Sequence, residues 1–262
     1  MHKLFEERVK LEPIEHRYWH DDGREFASLS RVRSITRPDT DFKMIAQMTA
    51  NKRGVDVSVV QGEWDKKRDS ACDIGTLIHD SLETYGLTAT IKPENEWLRP
   101  TILSISKGEA DYYAIHRELC IYDEENEIAM TADRVLETTR HKSSIFDLDD
   151  YKSNESKGIT YTCKYKNYLK HPFGHIQNSN YFDYSLQLSF EAMTLQELTG
   201  RKIGKLTITF IPPTNPLAWR IIPVSYMYYE ALALRNYWAE LKHIKKEEGD
   251  LTPTPLFEPN FG

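Results

Sequence analysis

The sequence predicts a mixed α/β or α+β domain built on a central β-sheet, because helical and strand-like hydrophobic patterns follow one another in a definite order. Helical patterns come first, a run of strand patterns follows, and the chain continues as a helix, two strands and a last helix. The length of 262 residues suits one large domain, or one domain with an appendage. A content of 40% hydrophobic residues supplies a core, while only 12 Gly and 12 Pro argue against a collagen-like or low-complexity chain.

The first part of the chain predicts a β-hairpin and then a helix. Residues 15–27 place apolar and aromatic side chains on both sides of Asp22-Gly23, a dipeptide that favours a tight turn. The pattern over 41–52 is helical, and Asp41 is well placed to begin that helix.

Two further helical patterns follow. The first covers about 62–86, where Gly86 is expected to end the helix. The second starts after Pro100 and is expected to run to about Leu119.

The hydrophobic period then changes to that of β-strands. Short β-like runs within 118–138 lie on both sides of the turn residues 123–126, and 144–151 continues as a strand. Residues 153–180 show little periodicity and are rich in Lys, Tyr, Asn and Ser.

The last part of the chain predicts a helix over 181–199 that ends near Gly200. The remaining elements are strands at 205–211 and 219–224, a helix over 225–247 and an extended tail over 249–262. We therefore expect a single domain over 1–262, with an N-terminal hairpin and helical region at 1–60.

Charge and cysteine usage limit the classes of function. The net charge of −6 excludes a histone-like basic coat, but a local basic surface can still bind nucleic acid. No stretch approaches the roughly 20 apolar residues of a membrane span, and the first residues lack the apolar segment of a secretory signal. The three cysteines, Cys72, Cys120 and Cys163, predict a reducing, cytoplasmic compartment and are too few for an iron–sulfur cluster.

The centre of a candidate site is formed by Asp133, Asp150 and Lys152. Alternate residues of a strand face one way, so Asp150 and Lys152 share a face with Phe146 and Leu148. A hairpin that turns near residues 140–142 would place Asp133 beside Asp150.

Two adjacent carboxylates in a partly buried site repel each other, and a divalent cation such as Mg²⁺ or Mn²⁺ resolves that repulsion. Lys152 beside the pair can then stabilise developing negative charge or position an attacking water. Such a set suits hydrolysis of a phosphodiester. The alternative is a surface salt-bridge cluster at a sheet edge.

Two helices offer further candidates. His79 and Glu83 are four residues apart and so share a helix face, where the imidazole can bind a metal and Glu83 can support it. The alternative for His79 is a structural role. Tyr184, Gln187 and Glu191 share a face of the helix over 181–199, or form a polar helix edge that caps the sheet.

Two basic groups are candidates for DNA contact. Lysines can meet phosphates, and tyrosine rings can stack on unpaired bases. The alternative for both groups is a solvated surface. Within 152–177 the candidates are Lys157, Lys164, Lys166, Lys170, Tyr165 and Tyr168, and the second group is Arg31, Arg33 and Arg37.

Four fragments in this order resemble the PD-(D/E)XK nuclease superfamily, in particular its RecB-like branch of phage exonucleases and Cas4-type nucleases. The branch has a Gly-Thr-x-x-His helix, an Asp on one strand, Asp-x-Lys on the next and a helix with Gln and a nearby Tyr. The matching fragments here are Gly75-Thr76-Leu77-Ile78-His79, Asp133, Asp150-Tyr151-Lys152, and Tyr184 with Gln187. The resemblance covers about 15–210.

The resemblance implies a restriction-endonuclease-like central mixed sheet flanked by helices. It also implies metal ligation by His79, Asp133, Asp150 and the Tyr151 carbonyl, a catalytic Lys152, and a Gln187 that supports the site or contacts DNA. Two departures stand out: Glu191 replaces a frequent Tyr, and Thr131-Ala132 precedes the first acid in place of Gly or Pro.

The resemblance implies a Mg²⁺- or Mn²⁺-dependent deoxyribonuclease, more often an exonuclease than an endonuclease, in phage or bacterial DNA recombination, repair or replication. Its expected partners are DNA, a single-strand-annealing or single-strand-binding protein, and further copies of itself, with no membrane. No iron–sulfur cluster is expected. Two alternatives are a non-catalytic DNA-binding module that keeps the nuclease fold and a metal hydrolase for a small phosphorylated substrate.

Overall fold

Eight strands form one mixed sheet in the computed structural model, which describes residues 4–140, 143–153, 158–163 and 167–247. The sheet is mixed because two of its strand pairs are parallel and the others are antiparallel. The strands are β1 (Val9–Glu12), β2 (Arg17–His20), β3 (Glu25–Ser28), β4 (Ala114–Asp123), β5 (Ile128–Arg140), β6 (Ser143–Lys152), β7 (Lys202–Phe210) and β8 (Arg220–Val224).

Six α-helices and two short 3₁₀ helices flank this sheet in the described part of the chain. The 3₁₀ helices cover Pro93–Leu98 and Pro216–Ala218. The α-helices are α1 (Leu29–Ser34), α2 (Phe42–Arg53), α3 (Val57–Thr88), α4 (Arg99–Lys107), α5 (Asn180–Thr199) and α6 (Tyr228–Glu247).

Strand β5 is the centre of the sheet and explains where a site can form. β4 runs antiparallel along one edge of β5. The other edge is shared, because β3 pairs in parallel with Ile128 and Ala129, and β6 pairs with residues 134–140. Between these two partners, no strand of the described part of the chain lies beside residues 130–133 on that edge. Three residues of this stretch, Met130, Thr131 and Asp133, line a cavity.

Two apolar layers hold the helices on the sheet. Helix α5 is buried on all sides, with Leu188 and Phe190 fully buried, because it lies between the sheet and α6. Helices α3 and α4 form a second cluster in which Ile78 and Ile102 pack with Tyr151 of β6. The predicted class, a central mixed sheet flanked by helices, is therefore confirmed, and it is consistent with a restriction-endonuclease-like fold.

Most predicted elements are present with small changes of boundary. The hairpin over 15–27 is β2 and β3. Asp41 caps α2, because its Oδ1 accepts the Met44 N–H at 2.8 Å. Gly200 ends α5 with a positive φ of 67°. Strand β1 and helix α1 were not predicted, and the tail over 249–262 lies outside the described residues.

Two predicted boundaries are wrong. The helix after Pro100 ends at Lys107, and Leu119 belongs to β4. Polar and apolar residues alternate too weakly in β4 for its sequence to be distinguished from that of a helix. Gly86 does not end its helix, since α3 continues to Thr88. Gly86 instead makes room for Arg117 of β4, whose Nε would lie 1.8 Å from a Cβ at this position.

In the part of the chain that the structure describes, every helix is too short or too polar to cross a bilayer.

We expect Gly86→Ala to lower the free energy of unfolding by ~1–2 kcal/mol, because the clash with Arg117 outweighs a gain of about 1 kcal/mol in helix propensity. Arg117 cannot swing away freely, since its Nη2 lies 2.6 Å from Glu109. The matched control is Gly62→Ala in the same helix, where a Cβ meets nothing within 4 Å. Chemical denaturation should show Gly62→Ala as stable as wild type or more so; a Gly86→Ala protein that matches it would contradict this account.

Candidate active site

The site begins where β5 and β6 separate. The last paired residues described at this end are Arg134 and Asp149, and the next positions are Asp133 and Asp150. Asp133 Oδ2 accepts the backbone N–H of Tyr151 at 2.7 Å, so a side chain replaces the missing strand hydrogen bond. The predicted hairpin is thus confirmed, although residues 141–142 of its connection lie outside the described part. It brings the carboxylates of Asp133 and Asp150 to one end of the strand pair.

A buried ion pair fixes the point of separation. Arg134 Nη2 lies 2.8 Å from Asp149 Oδ2, and Thr209 Oγ1 donates to Asp149 Oδ1 at 2.9 Å. Arg134 Nη1 also donates to Glu109 at 2.7 Å, and its guanidinium lies 5.1 Å from the centre of the Tyr151 ring. These contacts hold the Tyr151 side chain on the face opposite to Asp150, which orients the Tyr151 backbone towards Asp133.

Asp150 and Lys152 form a tight pair on one face of β6, as the alternation predicts. Lys152 Nζ donates to Asp150 Oδ1 at 2.8 Å and lies 2.6 Å from Oδ2. Burial raises the pKa of Asp150 to about 6, Lys152 opposes that rise and Asp133 adds to it. Burial disfavours the ammonium, but the charges of Asp150 and Asp133 still raise the pKa of Lys152 above its ordinary value. Lys152 is therefore a cation at neutral pH.

His79 joins this group from helix α3. Its Nε2 lies 2.9 Å from the Tyr151 carbonyl oxygen, and its Nδ1 lies 3.6 Å from Asp133 Oδ2. Gly75, one turn earlier, allows the helix to approach the end of β6, because a Cβ there would lie 3.2 Å from Ser153 Oγ. Glu83 makes no hydrogen bond to His79 within the described residues, so its predicted supporting role stays a prediction.

Helix α5 closes the site with the face predicted from its spacing. Gln187 Nε2 lies 3.0 Å from both Asp150 Oδ1 and Glu191 Oε1, and so joins the two carboxylates. Glu191 is almost fully buried, and burial with the nearby Asp150 charge raises its pKa well above the ordinary value. The Tyr184 ring centre lies 5.0 Å from Lys152 Nζ. All three residues of this face therefore line or flank the site.

Glu118 of β4 is a site residue that the sequence analysis missed. One nitrogen of His79 and one carboxylate oxygen each from Glu118 and Asp133 lie within 4.8 Å of one another. A cavity of about 310 Å³ opens beside these groups and is also lined by Gln187 and Glu191. The missed signal was the first half of the strand: Glu118 lay where the expected helix and the β-like runs overlapped, so no register could place it near Asp133.

The predicted DNA contacts fall into three groups. Lys170 is exposed and its Nζ lies 2.6 Å from Asp39, while Tyr168 is exposed and pairs with Gln177. The remaining candidates of this segment lie outside the described residues: Lys157, Lys164, Tyr165 and Lys166.

In the arginine group, Arg31 and Arg33 lie in helix α1 and Arg37 follows it. Arg33 and Arg37 both contact Asp183 Oδ2, at 2.7 and 2.8 Å, and Arg33 is buried. These two residues therefore tie α1 to α5, and Arg33 reaches the cavity wall. Arg31 is half-buried on α1. A direct contact of Arg37 with DNA would compete with its ion pair to Asp183.

Comparison with family models and with curated proteins finds no match. Among solved structures, the chain is similar to a "putative exonuclease" from Eubacterium rectale, with 16% identity, a TM-score of 0.42, and coverage of 70% of this chain and 69% of that one. It is also similar to the protein SSO0001, with 12% identity, a TM-score of 0.26, and coverage of 70% and 86%. The geometry of the site therefore carries the functional interpretation.

Proposed function

We propose that the protein is a metal-dependent deoxyribonuclease of the RecB-like branch of the PD-(D/E)XK superfamily, acting as an exonuclease. One observation carries this proposal: five different groups converge where β5 and β6 separate. They are the carboxylates of Asp133 and Asp150, the His79 imidazole, the Tyr151 carbonyl and the Lys152 ammonium. A salt-bridge cluster at a sheet edge would not account for a backbone carbonyl and an imidazole at the same point.

The donor set fits a divalent cation. Carboxylate and carbonyl oxygens suit Mg²⁺, and the imidazole is also acceptable to Mn²⁺. Asp150 is 1% exposed, and its Oδ2 accepts no hydrogen bond of normal geometry although Lys152 lies close. Such an oxygen can take a metal ion as an additional partner. His79, Asp133, Asp150 and the Tyr151 carbonyl would hold the ion, which when bound polarises a phosphoryl oxygen and lowers the pKa of a water.

The chain's own residues do the positioning. The Tyr151 N–H fixes the Asp133 carboxylate, and Gln187 fixes that of Asp150. Lys152 is held beside Asp150 and stays charged, so it can donate a hydrogen bond to a phosphate oxygen where negative charge develops. A neutral side chain at position 152 would leave the charge that develops on the phosphate oxygen without a partner.

For the DNA path we propose the cavity beside Asp133 and the surface that continues from it. Candidates along this path are the Lys–Tyr segment, with Lys170 and Tyr168 as its described members, and Arg31 on α1. We further propose that the enzyme works in DNA recombination, repair or replication in a bacterial or phage-infected cytoplasm, beside a single-strand-binding or single-strand-annealing protein, and that it forms homo-oligomers.

We expect Asp133→Asn and Asp150→Asn to abolish DNA cleavage, because each removes a charged ligand while keeping the side-chain shape. Asp111→Asn, which changes an exposed carboxylate between α4 and β4, is the control and should cleave like wild type. Release of nucleotides from end-labelled DNA in Mg²⁺ measures the effect. Wild-type rates in either folded site variant would refute the assignment.

The same two variants should differ in stability without metal. Asp133→Asn removes a carboxylate that repels Asp150 and keeps an oxygen for the Tyr151 N–H, so its melting temperature should equal or exceed that of wild type. Asp150→Asn leaves the Lys152 ammonium without its partner, and removal of one member of a buried pair costs ~3–5 kcal/mol. Thermal unfolding in EDTA tests this order; the reverse order would show that repulsion between the carboxylates is not the dominant effect.

We expect Lys152→Ala to slow cleavage by at least 100-fold, since stabilisation of a developing oxyanion is worth ~3–4 kcal/mol. Metal binding should remain, because an ammonium is not a ligand. Calorimetric titration with Mn²⁺ separates the two effects. A collapse of metal affinity with a normal rate at saturating metal would assign Lys152 a different role.

If the Lys–Tyr segment guides a single strand, replacing Lys164, Lys166 and Lys170 by Ala should reduce the salt slope of binding by roughly 2, at about 0.7 per phosphate contact. Tyr168→Ala should instead weaken binding by ~1–3 kcal/mol at an unchanged slope, because stacking is not electrostatic. Titrations of labelled single-stranded DNA in Ca²⁺ at several salt concentrations measure both. Equal slopes for wild type and triple mutant would assign the segment to the solvated surface.

A further inference from the structure

Glu118 lies directly opposite Asp133 across two neighbouring strands. Arg117 pairs with Arg134 and Leu119 pairs with Ala132, which leaves Glu118 and Asp133 facing each other at the one skipped position of the ladder. Like charges placed directly opposite on adjacent strands destabilise a sheet. Glu118 is exposed, so water screens part of this repulsion, and a cation bound between the two carboxylates would remove the rest.

No side chain supplies such a positive charge within the described residues. Glu118 makes no hydrogen bond and no ion pair there, and the charges of Asp133 and Glu83 act on it with the same sign. Glu137, further along the same strand pair, shows the usual arrangement, because His116 and Arg201 both contact its carboxylate. Glu118 is the exception on this strand pair.

The backbone turns Glu118 towards the cavity. Its φ of 48° lies in the left-handed region, which a residue other than glycine seldom adopts inside a strand. The carboxylate thereby comes to within 4.8 Å of a nitrogen of His79 and an oxygen of Asp133. On the other side of Asp133 lies the buried Asp150, whose Oδ2 is 2.6 Å from Lys152 Nζ. Carboxylate oxygens therefore lie on both sides of Asp133.

We propose that Glu118 is a direct ligand of a divalent cation, together with His79 and Asp133. This rests on the proposed function because it shares His79 and Asp133 with the nuclease site, and it adds a ligand from β4 that the four matching sequence fragments do not contain. Two carboxylates and an imidazole form a donor set that prefers Mn²⁺ to Mg²⁺, since nitrogen donors bind Mn²⁺ better than they bind the harder ion.

The test is Mn²⁺ binding by purified full-length protein, measured from the electron paramagnetic resonance signal of free Mn²⁺. Glu118→Gln should weaken Mn²⁺ binding at least tenfold and raise the melting temperature in EDTA, because the repulsion with Asp133 is removed. The matched control is Asp80→Asn, since Asp80 is exposed and its charge also acts on Glu118, but it lies outside the ligand group. Its Mn²⁺ affinity should stay within about twofold of wild type. Glu118→Asp, which keeps the charge, should retain more Mn²⁺ affinity than Glu118→Gln. It replaces Glu118→Gln as the test variant if that protein does not fold.

Equal Mn²⁺ affinities in Glu118→Gln and Asp80→Asn would overturn the proposal. The loss of any one negative charge near the site would then explain the change in affinity, without direct ligation by Glu118. DNA cleavage by the wild type separates this result from the proposed function. Cleavage with an unchanged affinity in Glu118→Gln refutes the ligand but keeps the nuclease. Glu118-dependent Mn²⁺ binding without cleavage keeps the ligand and refutes the nuclease. A wild type that binds no Mn²⁺ refutes both.

Discussion

The buried ion pair between Arg134 and Asp149 is the interaction on which the rest of the site depends. It lies at the last described pair of β5 and β6 before these strands separate. Its arginine packs on the Tyr151 ring, and the Tyr151 backbone then offers its N–H to Asp133 and its carbonyl to His79. A pair of this kind is costly to bury and costly to break. We therefore expect its main effect to be on the placement of the site residues.

The second constraint is the excess of negative charge at this point. Among the described residues, Asp133, Asp150 and Glu191 share the ammonium of Lys152, and Glu118 lies beside Asp133. Burial raises the pKa of both Asp150 and Glu191. A protein interior does not keep such a group charged without compensation. The same excess that makes the site unfavourable for the isolated chain makes it favourable for a divalent cation and, through the cation, for a phosphate. Stability and the proposed chemistry are thus opposed at the same residues.

The sequence alone predicts those parts of the site that depend on local patterns. Strand alternation places Asp150 with Lys152, and the polar turn between two strand patterns places Asp133 beside Asp150. Glu118 was beyond reach because its position depends on the register of β4, and the periodicity of 100–119 favoured a helix. Gly86 was misjudged for a similar reason: its lack of a side chain serves Arg117, a contact that joins residues far apart in sequence. The arginines in and after α1 looked like a basic surface, but Asp183 of α5 pairs with Arg33 and Arg37.

The most direct measurement of the central claim is the release of label from linear, end-labelled DNA compared with closed circular DNA of the same sequence, in Mg²⁺ and in EDTA. The account predicts that the linear DNA is degraded from its ends in Mg²⁺, that the closed circle stays intact, and that EDTA stops the reaction. Cleavage of the closed circle would show an endonuclease. Degradation that continues in EDTA, or no degradation of either DNA by folded protein in Mg²⁺ or Mn²⁺, would contradict a metal-dependent nuclease site at Asp133 and Asp150.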